Sequence, residues 1–285
     1  MNTKPFLLHA LSPLHAGTGH AVGVIDLPTA RMKATGIPFV PGSSIKGVLR
    51  AMRRSTEPDR TEAVFGPSAD PSAHAGALVV GDARLLALPV RSFRGTFAWT
   101  TSPLLLALAR RDLDAKLPVP HIEGRRCVVP TGSICQHKGR LYLEDLDLEA
   151  AAGDLAPWTK LLGPLASPGD DIFSSRFVVV DDETMTFLWE TATQVDARVR
   201  IDEATRTVAS GALWLEESLP PETLLLGLMA ADRSRKQSVD LTPDQVLGFA
   251  LPRAEHLQLG GKATIGRGRC RMVPMVREGA GHASA

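Results

Sequence analysis

Gly260-Gly261-Lys262-Ala263-Thr264-Ile265-Gly266-Arg267-Gly268-Arg269 excludes more folds than any other stretch of this chain. Glycines let backbone amides approach an anion closely, and cations between them add charge. The loop precedes an apolar strand, Arg269 to Val273, near the C-terminus. A dinucleotide fingerprint follows a strand and opens a helix, and a Walker A loop ends in Gly-Lys-Ser/Thr at a helix start. Neither order occurs here, so the doubly wound nucleotide-binding architectures fall away. A plain glycine-rich hairpin turn stays open, although Lys262, Arg267 and Arg269 favour a phosphate ligand.

A second anion-binding pattern lies at Pro41-Gly42-Ser43-Ser44-Ile45-Lys46-Gly47-Val48-Leu49-Arg50. The spacing predicts a helix over about 44–54, capped by the hydroxyl of Ser43 or Ser44. Ile45, Val48, Leu49 and Met52 form its apolar stripe, while Lys46, Arg50 and Arg53 form a cationic one. A helix N-terminus concentrates amide protons and dipole, and Lys46 one turn inside could clamp the same phosphate. The alternative is an ordinary capped helix whose charges face water.

Outward from these two segments the chain mixes strands and helices. Phe6 to Leu11 reads as a buried strand, followed by a loop of small residues from His15 to Gly23 and by Asp26 in a non-helical connection. Ala77 to Leu86, Arg176 to Val180 and Thr186 to Trp189 read as strands, and Trp99 to Arg111 and Pro243 to about Ala254 as helices. Val195, Ala197, Val199 and Ile201 alternate with Asp196, Arg198, Arg200 and Asp202. A polar turn at 203–206 follows, then a strand from Gly211 to Leu215, which predicts a hairpin with one basic face. Residues 124–171 resist assignment, and 279–285 read as a frayed tail. The order suits an α+β fold, compatible with a βαββαβ ferredoxin-like core carrying large insertions.

At 285 residues the chain can bury a large core, and 44% hydrophobic with 22% charged residues argues against general disorder. No apolar run approaches the roughly 20 residues that span a bilayer, so no membrane partner is expected. The N-terminus enters a strand without a signal-peptide pattern, and three cysteines make no disulfide framework; a reducing cytoplasm is the expectation. The net charge of +1 hides an asymmetry. Residues 31–54 carry six cations and no acid, and 253–277 carry six cations against Glu255 alone. Residues 144–183 carry ten carboxylates against Lys160 and Arg176. Two basic segments converging on one surface are the footprint of a polyanion binder, with solvated charged faces as the alternative. His121, Cys127, Cys135 and His137 match no closed zinc pattern, so no structural zinc is expected. Aromatics at 5% tell against a base-stacking sheet and favour a grip on the backbone.

The helix start at 42–50 and the C-terminal glycine loop together resemble the RAMP superfamily of CRISPR proteins. The runs His9 to Gly19, Val24 to Pro28, Arg198 to Asp202 and Gly211 to Glu217 narrow the likeness to the repeated backbone subunit of type III-B (Cmr-type) effector complexes. Two departures are Gln258 where a first loop glycine is usual, and a hairpin tip without glycine. The resemblance implies an RRM-like palm (about 1–60, 76–90, 172–190 and 211–277), an inserted fingers region (about 91–171) and a thumb hairpin (about 193–210). It also implies a filament of copies along a guide crRNA, beside other complex subunits, in antiviral defence.

On that resemblance, Ser43, Ser44, Lys46 and Arg50 with Gly261, Lys262, Thr264, Gly266, Arg267, Gly268 and Arg269 hold the guide backbone. Arg198 and Arg200 on the thumb contact RNA phosphate. Asp26 promotes cleavage of the target RNA with a divalent cation, magnesium or manganese. The chemistry agrees: RNA carries its own 2′-OH nucleophile, so a protein need only align it and stabilise charge. An isolated loop aspartate is otherwise a turn former. His15, Glu217 and, more remotely, Glu216 are candidate helpers. The competing readings are a non-catalytic subunit of the same complex, a metal-independent processing ribonuclease using His15 as base, and an unrelated phosphometabolite enzyme.

Overall fold

Six consecutive residues, from Pro5 to Ala10, are buried, as a strand covered on both faces requires. They lie in β1 (Asn2–Ala10). The computed structural model describes residues 1–17, 25–55, 57–68, 70 and 72–275; the expected small-residue loop in part, and the whole C-terminal tail, lie outside the described residues. After β1 come β2 (Phe39–Val40), α1 (Gly42–Arg54), α2 (Pro58–Phe65), β3 (Leu78–Val80), β4 (Ala83–Arg91) and β5 (Phe97–Thr101). Then follow α3 (Pro103–Leu113), β6 (Arg126–Val129), β7 (Gln136–His137), β8 (Arg140–Leu143), β9 (Leu146–Ala152) and α4 (Ala156–Ala166). The chain closes with α5 (Ile172–Arg176), β10 (Phe177–Val180), α6 (Asp182–Thr191), β11 (Gln194–Ile201), β12 (Val208–Ser218), β13 (Leu224–Ala231), α7 (Pro243–Ala250), β14 (Glu255–Gln258) and β15 (Arg269–Pro274).

Among the described residues, thirteen strands share one mixed sheet in the order β14-β15-β1-β13-β4-β5-β10-β6-β9-β8-β7, with β2 beside β4 and β3 beside β13. β4 joins two halves: its first residues pair with β13 and its last with β5. One half, from β14 to β4, packs under α1, α2 and α7 around Phe6, Leu8, Ile45, Leu49, Leu257 and Met272. In the other, β10 lies between β5 and β6, so the stretch 172–190, expected in the palm, extends the sheet of the inserted region. β11 and β12 form a separate two-stranded ribbon, the expected hairpin.

Several elements differ from expectation, each for a local reason. Trp99 lies in the middle of β5 and is not helical; Ser102 caps α3 by accepting from the Leu105 N–H, with Pro103 at the first helical position. Thr186 to Trp189 belongs to α6, where Asp181 accepts from the Thr184 N–H and Met185, Leu188 and Trp189 bury one face. In 124–171 the connection β7–β8 turns at Lys138-Gly139, and β8–β9 turns at Glu144. Lys138 (φ +48°) and Glu144 (φ +47°) are non-glycine residues in left-handed conformations, a turn signal the sequence hides.

α1 also starts differently. Neither serine caps it: Pro41 occupies the cap position without a side-chain bond, and the Gly42 N–H donates to the Asp82 carboxylate at 2.8 Å. A Cβ on Gly42 would overlap the Val80 carbonyl, so only glycine lets the helix start so close to β3. Ile45 and Leu49 are fully buried, about 1.5–3 kcal/mol each.

Candidate functional site

Three chain segments meet at the end of β12. Leu27 bridges β12 in parallel: its N–H donates to Leu215 O, and the Glu217 N–H donates to Leu27 O at 2.9 Å. The preceding segment pairs there too, with Leu14 and Leu219 exchanging backbone bonds. The glycine loop closes the third side, its Gly268 N–H donating to Pro13 O at 3.0 Å and the Arg269 N–H to Ser12 Oγ.

Asp26 is exposed at this junction, and its Oδ2 accepts the Leu215 N–H at 2.7 Å. That bond fixes the carboxylate against the base of the hairpin. His15 donates from Nδ1 to the Glu217 carbonyl at 2.7 Å; a carbonyl only accepts, so neutral His15 keeps its lone pair on Nε2. Glu217 makes three side-chain hydrogen bonds: it accepts from the Thr29 N–H (2.8 Å), from Arg31 (2.5 Å) and from Thr193 Oγ1 (2.8 Å). It therefore binds the Asp26 segment to the start of the hairpin.

The glycine loop carries a 3₁₀ turn, Ala263–Ile265, between left-handed Lys262 and Gly266. Gly268 is required: at φ +74° a Cβ would overlap the Leu259 carbonyl. Gln258, where a glycine was usual, donates from Nε2 to the Arg267 carbonyl at 2.5 Å and braces the loop. Gly261, Thr264, Gly266 and Arg269 are exposed.

The loop cations turn towards the hairpin. Lys262 Nζ pairs with Glu216, and Arg267 donates to Asp196 (2.6 Å) and to Ser218 Oγ (3.0 Å). Arg198 stands 3.4 Å from Glu216, whereas Arg200 is exposed. Burial works to raise the Glu216 carboxyl, yet Lys262, Arg198 and His15 overcome it and hold it below the usual carboxylate range. The same contest at Asp196 ends the same way, through Arg267 and Gln194.

Among the described residues, the expected α1 residues make no hydrogen bond or ion pair to this junction. Ser43 and Ser44 are exposed on the first turn, and the Ser44 N–H donates to Pro41 O. Lys46 Nζ donates to Leu78 O at 2.8 Å, and Arg50 donates to Gly66 O and Ser68 Oγ. Burial and the neighbouring Arg50 lower the Lys46 pKa. A backbone relay still links the two regions: Ala30 N–H donates to Ala16 O, and Phe39 N–H donates to Ala30 O just before α1. The far end of α1 reaches β14 through Arg53 and Glu255 at 2.5 Å. Cys127 and Cys135 are buried thiols, and His121 and His137 are exposed.

Sequence reasoning did not single out Arg31, Thr193 or Asp196 as part of this junction. Its one available signal was Glu216-Glu217: consecutive carboxylates in a strand face opposite ways, and both are buried.

The RAMP superfamily profile matches residues 7–271. The chain belongs to the RAMP superfamily. Within it, this RAMP chain is 31% identical over 276 residues to the CRISPR system Cmr endoribonuclease Cmr4 of Pyrococcus furiosus, covering 92% of each. It is 23% identical over 299 residues to the CRISPR system CMR subunit Cmr4 of Saccharolobus solfataricus, covering 93% of this chain and 94% of that one. Solved structures share the fold. Oligomeric Cmr4 from Pyrococcus furiosus superposes with a TM-score of 0.74 at 24% identity, over 96% of this chain and 98% of that one. A chain of the type III-B Cmr-beta complex bound to cognate target RNA gives 0.72 at 21% identity, over 96% and 97%.

Proposed function

We propose that this RAMP chain is a guide-crRNA-binding backbone subunit of a type III-B CRISPR effector complex. It stacks with copies of itself and with other subunits along the guide, and it cleaves bound target RNA. The observation that carries the reading is the likeness, over nearly the whole of both chains, to a Cmr endoribonuclease. The junction at β12 supports it, because it holds Asp26, His15 and the glycine loop together. Its place is the reducing cytoplasm, where three free, buried cysteines are at home.

Asp26 is the catalytic residue of this reading. One oxygen is anchored by the Leu215 N–H; the other receives no hydrogen bond among the described residues and stays exposed. A divalent cation, magnesium or manganese, supplies charge neutralisation at the scissile phosphate when bound. Among the described residues no three His, Cys, Asp or Glu side chains converge to hold a metal. A single exposed carboxylate fits an ion held jointly with RNA phosphate. The glycine loop, the first turn of α1 and Arg200 grip the ribose-phosphate strand without reading its bases.

Asp26→Ala in the assembled complex should leave guide binding intact and reduce target cleavage at least a hundredfold, with EDTA producing the same loss in the parent. Cutting that persists in Asp26→Ala would overturn the assignment of Asp26 as the catalytic residue. The His15 tautomer favours one second reading, a metal-independent ribonuclease with Nε2 as base. Activity that survives EDTA and disappears in His15→Ala would establish it.

A further inference from the structure

The glycine loop and the hairpin are joined by charge across their interface. Arg267 commits both terminal nitrogens to the hairpin, one to Asp196 and one to Ser218. Lys262 reaches Glu216, which is wholly buried and whose Oε1 has no hydrogen-bond partner. Arg198, across the strand pair, faces Glu216 at 3.4 Å, yet its buried Nε and Nη2 make no hydrogen bond among the described residues. These groups are half-satisfied: two carboxylates and three cations are packed together, yet the donors and acceptors do not all match. A buried donor or acceptor left unmatched carries its full desolvation cost, which an external anion that meets it would relieve.

Charge outside the network sharpens the point. Of the three acids at the hairpin base, Glu217 faces Arg31, whereas Asp196 and Glu216 each sit on a cation belonging to the loop. Beyond the base, most of the hairpin's large apolar residues are left to solvent: Val199, Ile201 and Val208 are 45–52% exposed, and Leu213 is 64% exposed. The hairpin is therefore held by its base, with no core of its own. Whatever occupies Lys262 and Arg267 sets how firmly it is held.

We infer that Asp196 and Glu216 compete with RNA phosphate for Arg267 and Lys262, so that a strand seated in the glycine loop loosens the hairpin at its base. The inference rests on the proposed RNA-binding function. The loop cations are shared between an internal carboxylate and an external phosphate, and hairpin posture is coupled to occupancy of the loop. Neutralising either acid leaves its cation to the phosphate alone.

The test titrates the full-length chain with a mixed-sequence single-stranded RNA of guide length over a range of salt. Asp196→Asn and Glu216→Gln should each tighten binding about three- to tenfold and steepen the log Kd against log salt slope by about 0.7, one extra phosphate contact each. Arg267→Gln should do the reverse. In the parent, RNA should speed amide exchange in β11. Asp196 is the safer site, since its side chain is 29% exposed. Parent affinity and slope in both acid variants, or weakened binding by a folded Asp196→Asn, overturns the inference while RNA binding by the parent keeps the function standing. A parent chain with no affinity for RNA ends both.

Discussion

Glu217 is a buried carboxylate whose partners come from separate parts of the chain. Arg31 and the Thr29 amide belong to the Asp26 segment, Thr193 to the start of the hairpin, and the Glu217 carbonyl receives His15. Removing one member of a buried pair costs more than the pair contributes, because the other charge stays desolvated. Glu217→Ala should therefore lower unfolding stability by about 3–5 kcal/mol, measured by urea titration. Glu217→Gln, which keeps the shape and one acceptor, should lose less. Asp26→Ala removes one bond from an exposed group and should leave the same titration almost unmoved. If Asp26→Ala destabilised as much as Glu217→Ala, the exposed aspartate would be a structural residue.

For the elements, α1 is the informative case. Its stripe was legible at Ile45, Val48 and Leu49, because a 3.6-residue period needs only the chain itself, whereas Met52, expected in the same stripe, is exposed. Its cap was not, since the acceptor is Asp82, forty residues away in the turn between β3 and β4. Asp82→Ala should cost about 1 kcal/mol of stability, whereas Ser43→Ala and Ser44→Ala should cost little, by thermal denaturation. The reverse ranking would restore the local cap. The cationic stripe also finds distant partners: Lys46 donates to Leu78 O, and Arg50 to Gly66 O and Ser68 Oγ. At α6, an apolar run read as a strand is a helix, because Asp181 supplies a cap and Trp189 a buried end. Short apolar runs fit both periods, and packing chooses between them.

For the whole molecule, the two halves of the sheet each enclose inert thiols. Burial pushes Cys270 in one half and Cys127 in the other up to about 12. An unfolded thiol ionises near pH 9, so above that pH the unfolded state binds fewer protons than the native one. Stability then falls as pH rises, by up to about 1.4 kcal/mol per pH unit for each thiol, until the native thiols ionise. Unfolding titrations at pH 8 and pH 10 should show this loss, and a Cys127→Ala, Cys270→Ala chain should show less of it. An identical pH dependence in that double variant would mean that the thiols are not shielded.

Composition, periodicity and the two glycine-bearing motifs determined the fold class and the hairpin, because each is written in residues close together in the chain. The superfamily was legible for the same reason. Tertiary structure alone decided that Arg267 and Lys262 face carboxylates, that Asp82 caps α1, and that Glu217 gathers three segments. Those outcomes depend on which distant groups share a low-dielectric site, where an unpaired charge is costly and any available partner is taken. A linear pattern gives the type of each charged residue, and only packing assigns its partner.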